Sequence, residues 1–279
     1  MNDTIAYLRK TLENQFPPEE IRSLTHLIMK EVCHLEPHQL ILDKDRDLSE
    51  AMKGQIKSIV ERLLRKEPIQ YILGTTVFYG NEFFITPSVL IPRPETEELV
   101  DLIVRTEKTE KLNVLDIGTG SGCIAISLAN ALDHAKVTGI DISEEALSLA
   151  RSNATRNKAK VSFLSFDVLT EKMYPDHKLD IIVSNPPYVM EKEKEEMKPN
   201  VLEYEPHLAL FVSNHDPLVF YRAIAEFGLL HLNNSGRIYF EINEALGNET
   251  VELLIQKGYR DCILVKDLAG KDRIIKALR

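Results

Sequence analysis

Val114-Leu115-Asp116-Ile117 passes directly into Gly118-Thr119-Gly120-Ser121-Gly122 and then into Ile124–Leu132, an apolar stretch of helical length. A strand, a glycine turn and a helix in immediate succession open a βαβ unit, and such a unit demands a parallel sheet covered by helices. The alternation continues through Lys136–Asp141, Ser143–Asn153, Val161–Leu164, Leu179–Ser184, a helix near Leu218–Leu232, Arg237–Glu241, a helix near Leu246–Lys257, and strands near Cys262–Val265 and Arg273–Ala277. Ser143, with Ala146 and Leu147 behind it, is the expected N-cap of its helix. These patterns predict a Rossmann-like α/β domain over residues 93–279, built on a mostly parallel seven-stranded sheet. No internal repeat is visible.

The first third of the chain is written differently. Residues 1–67 place apolar side chains at helical spacing, as in Ile21, Leu24, Leu27, Ile28 and Val32, and again in Ile56, Ile59, Val60, Leu63 and Leu64. Pro17-Pro18 and Pro37 divide this part into three or four helices, with Ser49 as an N-cap. A small helical bundle follows, serving either to recognise a partner or to cap the fold. Residues 68–92 change to aromatic and β-branched residues around Gly80-Asn81, which reads as a β-hairpin linker. Leu90-Ile91-Pro92-Arg93-Pro94-Glu95-Thr96-Glu97 then opens a helix through about Arg105, with Pro94 in its first turn and glutamates at its positive end.

The chain has 279 residues, a net charge of −9 and 44% hydrophobic residues. That balance suits a globular protein with a sizeable core and disfavours broad capture of nucleic acid phosphates, so no direct nucleic-acid partner is expected. Cys33, Cys123 and Cys262 are odd in number and show no CxxC or Cys/His spacing, which predicts a reducing compartment and no metal site. No signal peptide or membrane span is expected, so the predicted location is the cytoplasm. The expected oligomeric state is a monomer.

The glycine-rich loop lets the backbone turn tightly and approach a ligand. A dinucleotide fingerprint wants its third small residue where Cys123 stands, which weakens that reading. Asp141 ends the next strand about 20 residues on, where a carboxylate accepts from ribose hydroxyls. Asp116 is placed to order the glycine loop or to meet a charged ligand tail, and Asp167 to accept from the adenine amine. A ring of acceptors without cations for a pyrophosphate suits S-adenosylmethionine better than a dinucleotide.

The run Leu179-Asp180-Ile181-Ile182-Val183 reads as a buried strand, and it stops at Ser184-Asn185-Pro186-Pro187-Tyr188 because proline has no ladder donor. Asn185 brings a side-chain carbonyl to that strand end, Pro186 a main-chain carbonyl, and Tyr188 a flat ring for a planar amide or base. Two acceptors on a stiff corner suit an amino group. The expected chemistry is direct methyl transfer to that nitrogen by positioning, with no covalent intermediate and no strong general base. Glu191–Lys198, rich in glutamate and lysine, reads as a solvated face, with a mobile lid as the lesser possibility.

These residues resemble the class I S-adenosylmethionine-dependent methyltransferases that modify glutamine in peptide chain release factors. The resemblance spans Glu67–Gly74, Leu90–Glu97, Val114–Ala125, Asn185–Tyr188, and Tyr204-Glu205-Pro206 with Ala209-Leu210. Asn-Pro-Pro-Tyr is shared with DNA adenine methyltransferases, whereas Pro-Arg-Pro-Glu-Thr-Glu is specific. The resemblance implies that Gly118, Thr119, Gly120, Ser121, Gly122, Asp141 and Asn185 contact S-adenosylmethionine, with Asp167 and Val168 expected beside its adenine. It also implies that Asn185, Pro186, Pro187 and Tyr188 hold the substrate glutamine of a Gly-Gly-Gln loop, and that the helical domain docks the release factor. Val168 departs from relatives that place an aromatic residue over the adenine. The rival expectation is an adenine amino-group methyltransferase acting on DNA or RNA, with Tyr188 stacking on a flipped base; it requires a basic, aromatic recognition segment that the sequence does not supply.

Overall fold

A computed structural model describes residues 1–35, 38–39, 46–109, 111–171 and 178–279. These fall into two units: Met1–Gly74 with Lys198–Tyr204, and Thr75–Met197 with Glu205–Arg279. The expected linker range 68–92 therefore contributes to both.

In the first unit, helices α1 (Asn2–Leu12), α2 (Pro18–Cys33) and α3 (Glu50–Leu64) turn their periodic apolar faces onto one another. Leu8, Leu12, Ile28, Ile56 and Val60 are fully or almost fully buried there, while Leu27 fits the period but is 45% exposed. Pro18 starts α2 with Glu19 and Glu20 in its first turn, and the Ser49 hydroxyl caps α3 by accepting from the Met52 N–H at 3.2 Å. The break expected at Pro37 lies outside the described residues. Ile69–Leu73, grouped by its composition with the hairpin, is instead a short helix α4 between Pro68 and Gly74, whose φ of 75° gives the left-handed stop.

The second unit begins with a hairpin, β1 (Thr75–Phe78) and β2 (Asn81–Phe84). Phe78 pairs with Asn81, so the two-residue turn is Tyr79-Gly80, both with positive φ, and Asn81 belongs to the strand. Helix α5 (Pro94–Thr106) leads to the main sheet: β3 (Asn113–Ile117), β4 (Lys136–Asp141), β5 (Val161–Ser165), β6 (Leu179–Ser184), β9 (Leu232–Glu241), β10 (Arg260–Lys266) and β11 (Asp272–Leu278). Their spatial order is β10-β11-β9-β6-β3-β4-β5, parallel throughout except for β11, which runs against both of its neighbours. Helices α5, α6 (Cys123–Ala131) and α7 (Glu144–Arg156) pack in succession, and α8 (Val219–His231) packs on α9 (Gly247–Lys257). Tyr221, Ile224, Phe227, Ile182 and Phe240 are fully buried within one core cluster.

Two short strands that the sequence pattern hides, β7 (Val189–Met190) and β8 (Phe211–Val212), pair just beyond β6. The Glu191–Glu196 segment is a 3-10 turn anchored by Glu193, which accepts from the Met190 N–H at 2.6 Å and from Asn243 Nδ2 at 3.1 Å. Strand order reverses between β3 and β6. Ligands of open α/β sheets bind outside the carboxyl ends of the strands at such a switch point. The glycine loop leaves β3 there, and Asn185 leaves β6.

Candidate active site

At the switch point the Ser184 hydroxyl donates to the Ile117 carbonyl at 2.7 Å, tying the ends of β6 and β3 together. Above them opens a cavity of about 450 Å³, within the range of small-molecule sites. Gly118, Thr119, Gly120 and Ser121 form one wall, Asp141, Asp167 and Val168 a second, and Asn185, Pro186 and Pro187 a third. Gly118 and Gly120 have φ of 73° and 53°, and a Cβ on either would meet nothing within 4 Å, so their bare backbone faces open space. Gly122 is not on the wall. Its φ of 81° caps α6, and a Cβ there would press Ile126 and Ala150 at 3.0 and 3.1 Å.

The acidic residues divide their work. Asp141 accepts from the Gly120 N–H at 2.8 Å and the Ser143 N–H at 3.0 Å, leaving further lone pairs toward the cavity. Burial raises its pKa, and those N–H groups oppose the rise. Asp116 lies under the loop rather than on the wall: one oxygen accepts from the Thr119 hydroxyl at 2.6 Å and the Ala125 N–H at 3.2 Å. Of its two sequence readings, ordering the loop is the one the hydrogen bonds carry out. Its Oδ1 has no partner among the described residues, and burial pushes the carboxyl up to about 7. Asp167 accepts from the Leu169 N–H and the Thr170 hydroxyl, both at 2.9 Å. Val168 is buried among Phe166, Ile140 and Ile224, an apolar surface suited to a purine face.

A smaller recess adjoins the cavity, lined by Leu90, Arg93, Asn185, Pro186, Tyr188 and Ala209. Asn185 and Pro186 face both spaces. Arg93 donates to Glu205 Oε1 at 2.5 Å and the Ile91 N–H to its Oε2 at 3.2 Å, so buried Glu205 clamps the Pro-Arg-Pro segment as the recess wall. Asn185 donates through Nδ2 to the Thr96 hydroxyl at 3.2 Å, and among the described residues no donor meets its Oδ1, which leaves that oxygen to accept. The Tyr188 hydroxyl donates to Glu241 Oε1 at 3.0 Å. Burial first, and the neighbouring Glu241 second, push the Tyr188 phenol far up, which favours its protonated form.

Similarity to known proteins points the same way. Residues 3–74 match the model of the PrmC N-terminal domain, and residues 96–203 match that of the methyltransferase small domain. The release factor glutamine methyltransferase of Bacteroides thetaiotaomicron is 49% identical over 279 residues, covering 100% of both chains. That of Flavobacterium psychrophilum is 46% identical over 272 residues, covering 96% of this chain and 95% of its own. This chain belongs to the release factor glutamine methyltransferase family. A methyltransferase from Pyrococcus furiosus, 21% identical with a TM-score of 0.53 over 78% of this chain and 96% of its own, shares the class I fold.

Within that family's frame the cavity fits S-adenosylmethionine: a bare glycine cradle, a strand-end carboxylate with spare lone pairs, and an apolar slot at Val168. Sequence reasoning missed Thr96, Glu205 and Glu241 as site residues, and Asn153, whose amide joins the glycine loop to the hairpin through Ser121 O at 2.9 Å and Phe84 O at 3.1 Å. Glu205 stood in the Tyr-Glu-Pro pattern and Thr96 in Pro-Glu-Thr-Glu, so the motifs contained them without revealing their partners. Among the described residues no group of three His, Cys, Asp or Glu is placed to hold a metal ion, and no helix is long and apolar enough to cross a membrane.

Proposed function

We propose that this chain methylates the side-chain amide nitrogen of the glutamine in the Gly-Gly-Gln loop of peptide chain release factors. The observation that carries this reading is the corner where Asn185, with Oδ1 free, and Pro186 face both the larger cavity and the small recess. An NH2 group entering the recess finds two carbonyl acceptors and the Tyr188 ring for its planar amide.

Gly118–Ser121, Asp141, Asp167, Val168 and Asn185 are the residues assigned to hold S-adenosylmethionine, which supplies a methyl group on a positively charged sulfur. Asn185 and the Pro186 carbonyl orient the amide so that its remaining face points into the cavity. An amide nitrogen is a weak nucleophile, since its lone pair is shared with the carbonyl. Holding it in position is therefore the main contribution, and such positioning is worth roughly 7–11 kcal/mol in well-oriented systems. As charge develops on nitrogen the two accepted hydrogen bonds strengthen, a gain made in the transition state rather than before it. The excess proton is lost after transfer, so no base need be poised beforehand.

Residues 1–67 are assigned the docking of the release factor and residues 68–92 the linker role, supported by the separate core of the helical unit. The chain is taken to act as a monomer in the cytoplasm, without direct nucleic-acid contact, in keeping with its net charge of −9. The test is mass spectrometry of a purified bacterial release factor incubated with the protein and S-adenosylmethionine. One added methyl on the glutamine of Gly-Gly-Gln supports the reading; methylation confined to DNA or RNA overturns it.

A further inference from the structure

Asn185 offers a carbonyl oxygen only if its amide is turned the right way, because the amide's two ends differ little in shape and are opposite in hydrogen-bonding character. Something must choose. The Thr96 hydroxyl has one hydrogen, and it is spent on Glu241 Oε2 at 2.6 Å. Thr96 Oγ1 can then only accept, and what it accepts is the Asn185 NH2 at 3.2 Å. Glu241 is 1% exposed, and its second oxygen is taken by the Tyr188 hydroxyl at 3.0 Å. Glu241 thus accepts at both oxygens, and the direction of every bond in the chain follows from that.

We propose that Thr96 and Glu241 form a hydrogen-bond relay that selects the amide orientation of Asn185, keeping Oδ1 toward the acceptor recess and NH2 away from it. This inference rests on the methyl-transfer reading for its catalytic consequence. Its structural content is independent of any substrate. If the amide were flipped, Asn185 Oδ1 would face a Thr96 oxygen with no hydrogen to give, and an NH2 donor would meet the incoming NH2. Glu241 reaches the site because β9 lies beside β6, with Ser184, the last residue of β6, paired to Phe240, one residue before the end of β9. Thr96 reaches it from the first turn of α5 and is 2% exposed. Both are positioning residues: they act on the substrate only through Asn185 and, for Glu241, Tyr188.

Three full-length variants test the relay. Thr96→Val keeps the shape and removes the hydroxyl, Thr96→Ser restores the hydroxyl, and Glu241→Gln puts a donor where only acceptors stood. Thr96→Val is expected to lower kcat for release factor by about ten- to a hundredfold, the scale of one mispaired buried polar group, with S-adenosylmethionine affinity within about threefold. Thr96→Ser is expected to recover kcat to within about threefold of wild type, and Glu241→Gln to lower it by about tenfold or more. A purely structural role would move Thr96→Val and Thr96→Ser together. Hydrogen exchange of the Asn185 side-chain NH2, followed by NMR with labelled asparagine, reads the orientation without turnover. Slow exchange in the wild type that becomes fast in Thr96→Val supports the relay. Equal exchange in the two, or a Thr96→Val kcat within twofold of Thr96→Ser, overturns it. If wild-type protein shows slow exchange yet methylates no release factor, the relay stands and the proposed reaction falls.

Discussion

Asp141 and Glu241 are the same kind of group in the same kind of place: each ends a parallel strand of the sheet, and burial raises the pKa of each. Their partners differ. Asp141 is held by two backbone N–H groups, from Gly120 and Ser143, which fix the carboxylate and leave it lone pairs to spend on a ligand. Glu241 is held by two side-chain hydroxyls, from Thr96 and Tyr188, and is sealed from solvent. The first arrangement presents an acceptor. The second imposes direction on its neighbours, since hydroxyls relay polarity whereas backbone amides do not. On the proposed reading, the carboxyl ends of the strands support two tasks, ligand capture over β4 and acceptor alignment over β6 and β9.

The sharpest way to break the comparison is to remove what Glu241 aligns. Asn185→Ala is expected to cut methyl transfer by about a thousandfold or more, because positioning supplies most of the rate, while cofactor affinity stays within about tenfold. Radiolabel transfer together with calorimetry checks both; wild-type turnover contradicts the alignment role.

Asp116 sharpens the comparison as a third carboxylate, one that serves the loop alone. Burial, as the largest cause, pushes it to about 7 from an ordinary value of 3.8, against the Thr119 and Ala125 hydrogen bonds. The folded chain therefore keeps a proton that the unfolded chain gives up at lower pH. The associated stability is fully present below about pH 4 and is lost as pH rises toward 7, by up to ~4 kcal/mol on the size of that shift. Asp116→Asn is expected to remove this decline relative to wild type in urea melts between pH 4 and 7. Parallel pH profiles of the two proteins would show that the buried oxygen is compensated.

A smaller effect is expected from Tyr188→Phe, which keeps the ring and loses one hydrogen bond to Glu241. About three- to tenfold in kcat is the scale of one such bond. A loss as large as that of Asn185→Ala would make the hydroxyl, rather than the ring, the important part of Tyr188.

Much of this was legible in the chain. Strand, glycine turn and helix at 113–131 announced the sheet, and Ser49, Pro94 and Ser143 start helices as their chemistry requires. Ile69–Leu73 misled because β-branched and aromatic residues outweighed the Pro68 and Gly74 that bracket a helical turn. Leu27 misled because period alone does not distinguish the centre of an apolar face from its margin. The glycines, Asp141 and Asn185 were visible since each follows a recognisable strand. Thr96 and Glu241 were not: 145 residues separate them, and only the placement of β9 beside β6 brings them together. Residues that act by directing another side chain carry no local signature.

The comparison is tested most directly by titrating S-adenosylmethionine into Asp141→Ala and Glu241→Gln side by side in a calorimeter. A carboxylate that faces the cofactor is worth roughly 1.5–3 kcal/mol per charged hydrogen bond, so Asp141→Ala is expected to bind at least tenfold more weakly while Glu241→Gln stays within about threefold of wild type. Equal losses in the two variants, or a larger loss in Glu241→Gln, would contradict the division of the site into a carboxylate for the cofactor and a carboxylate for the acceptor.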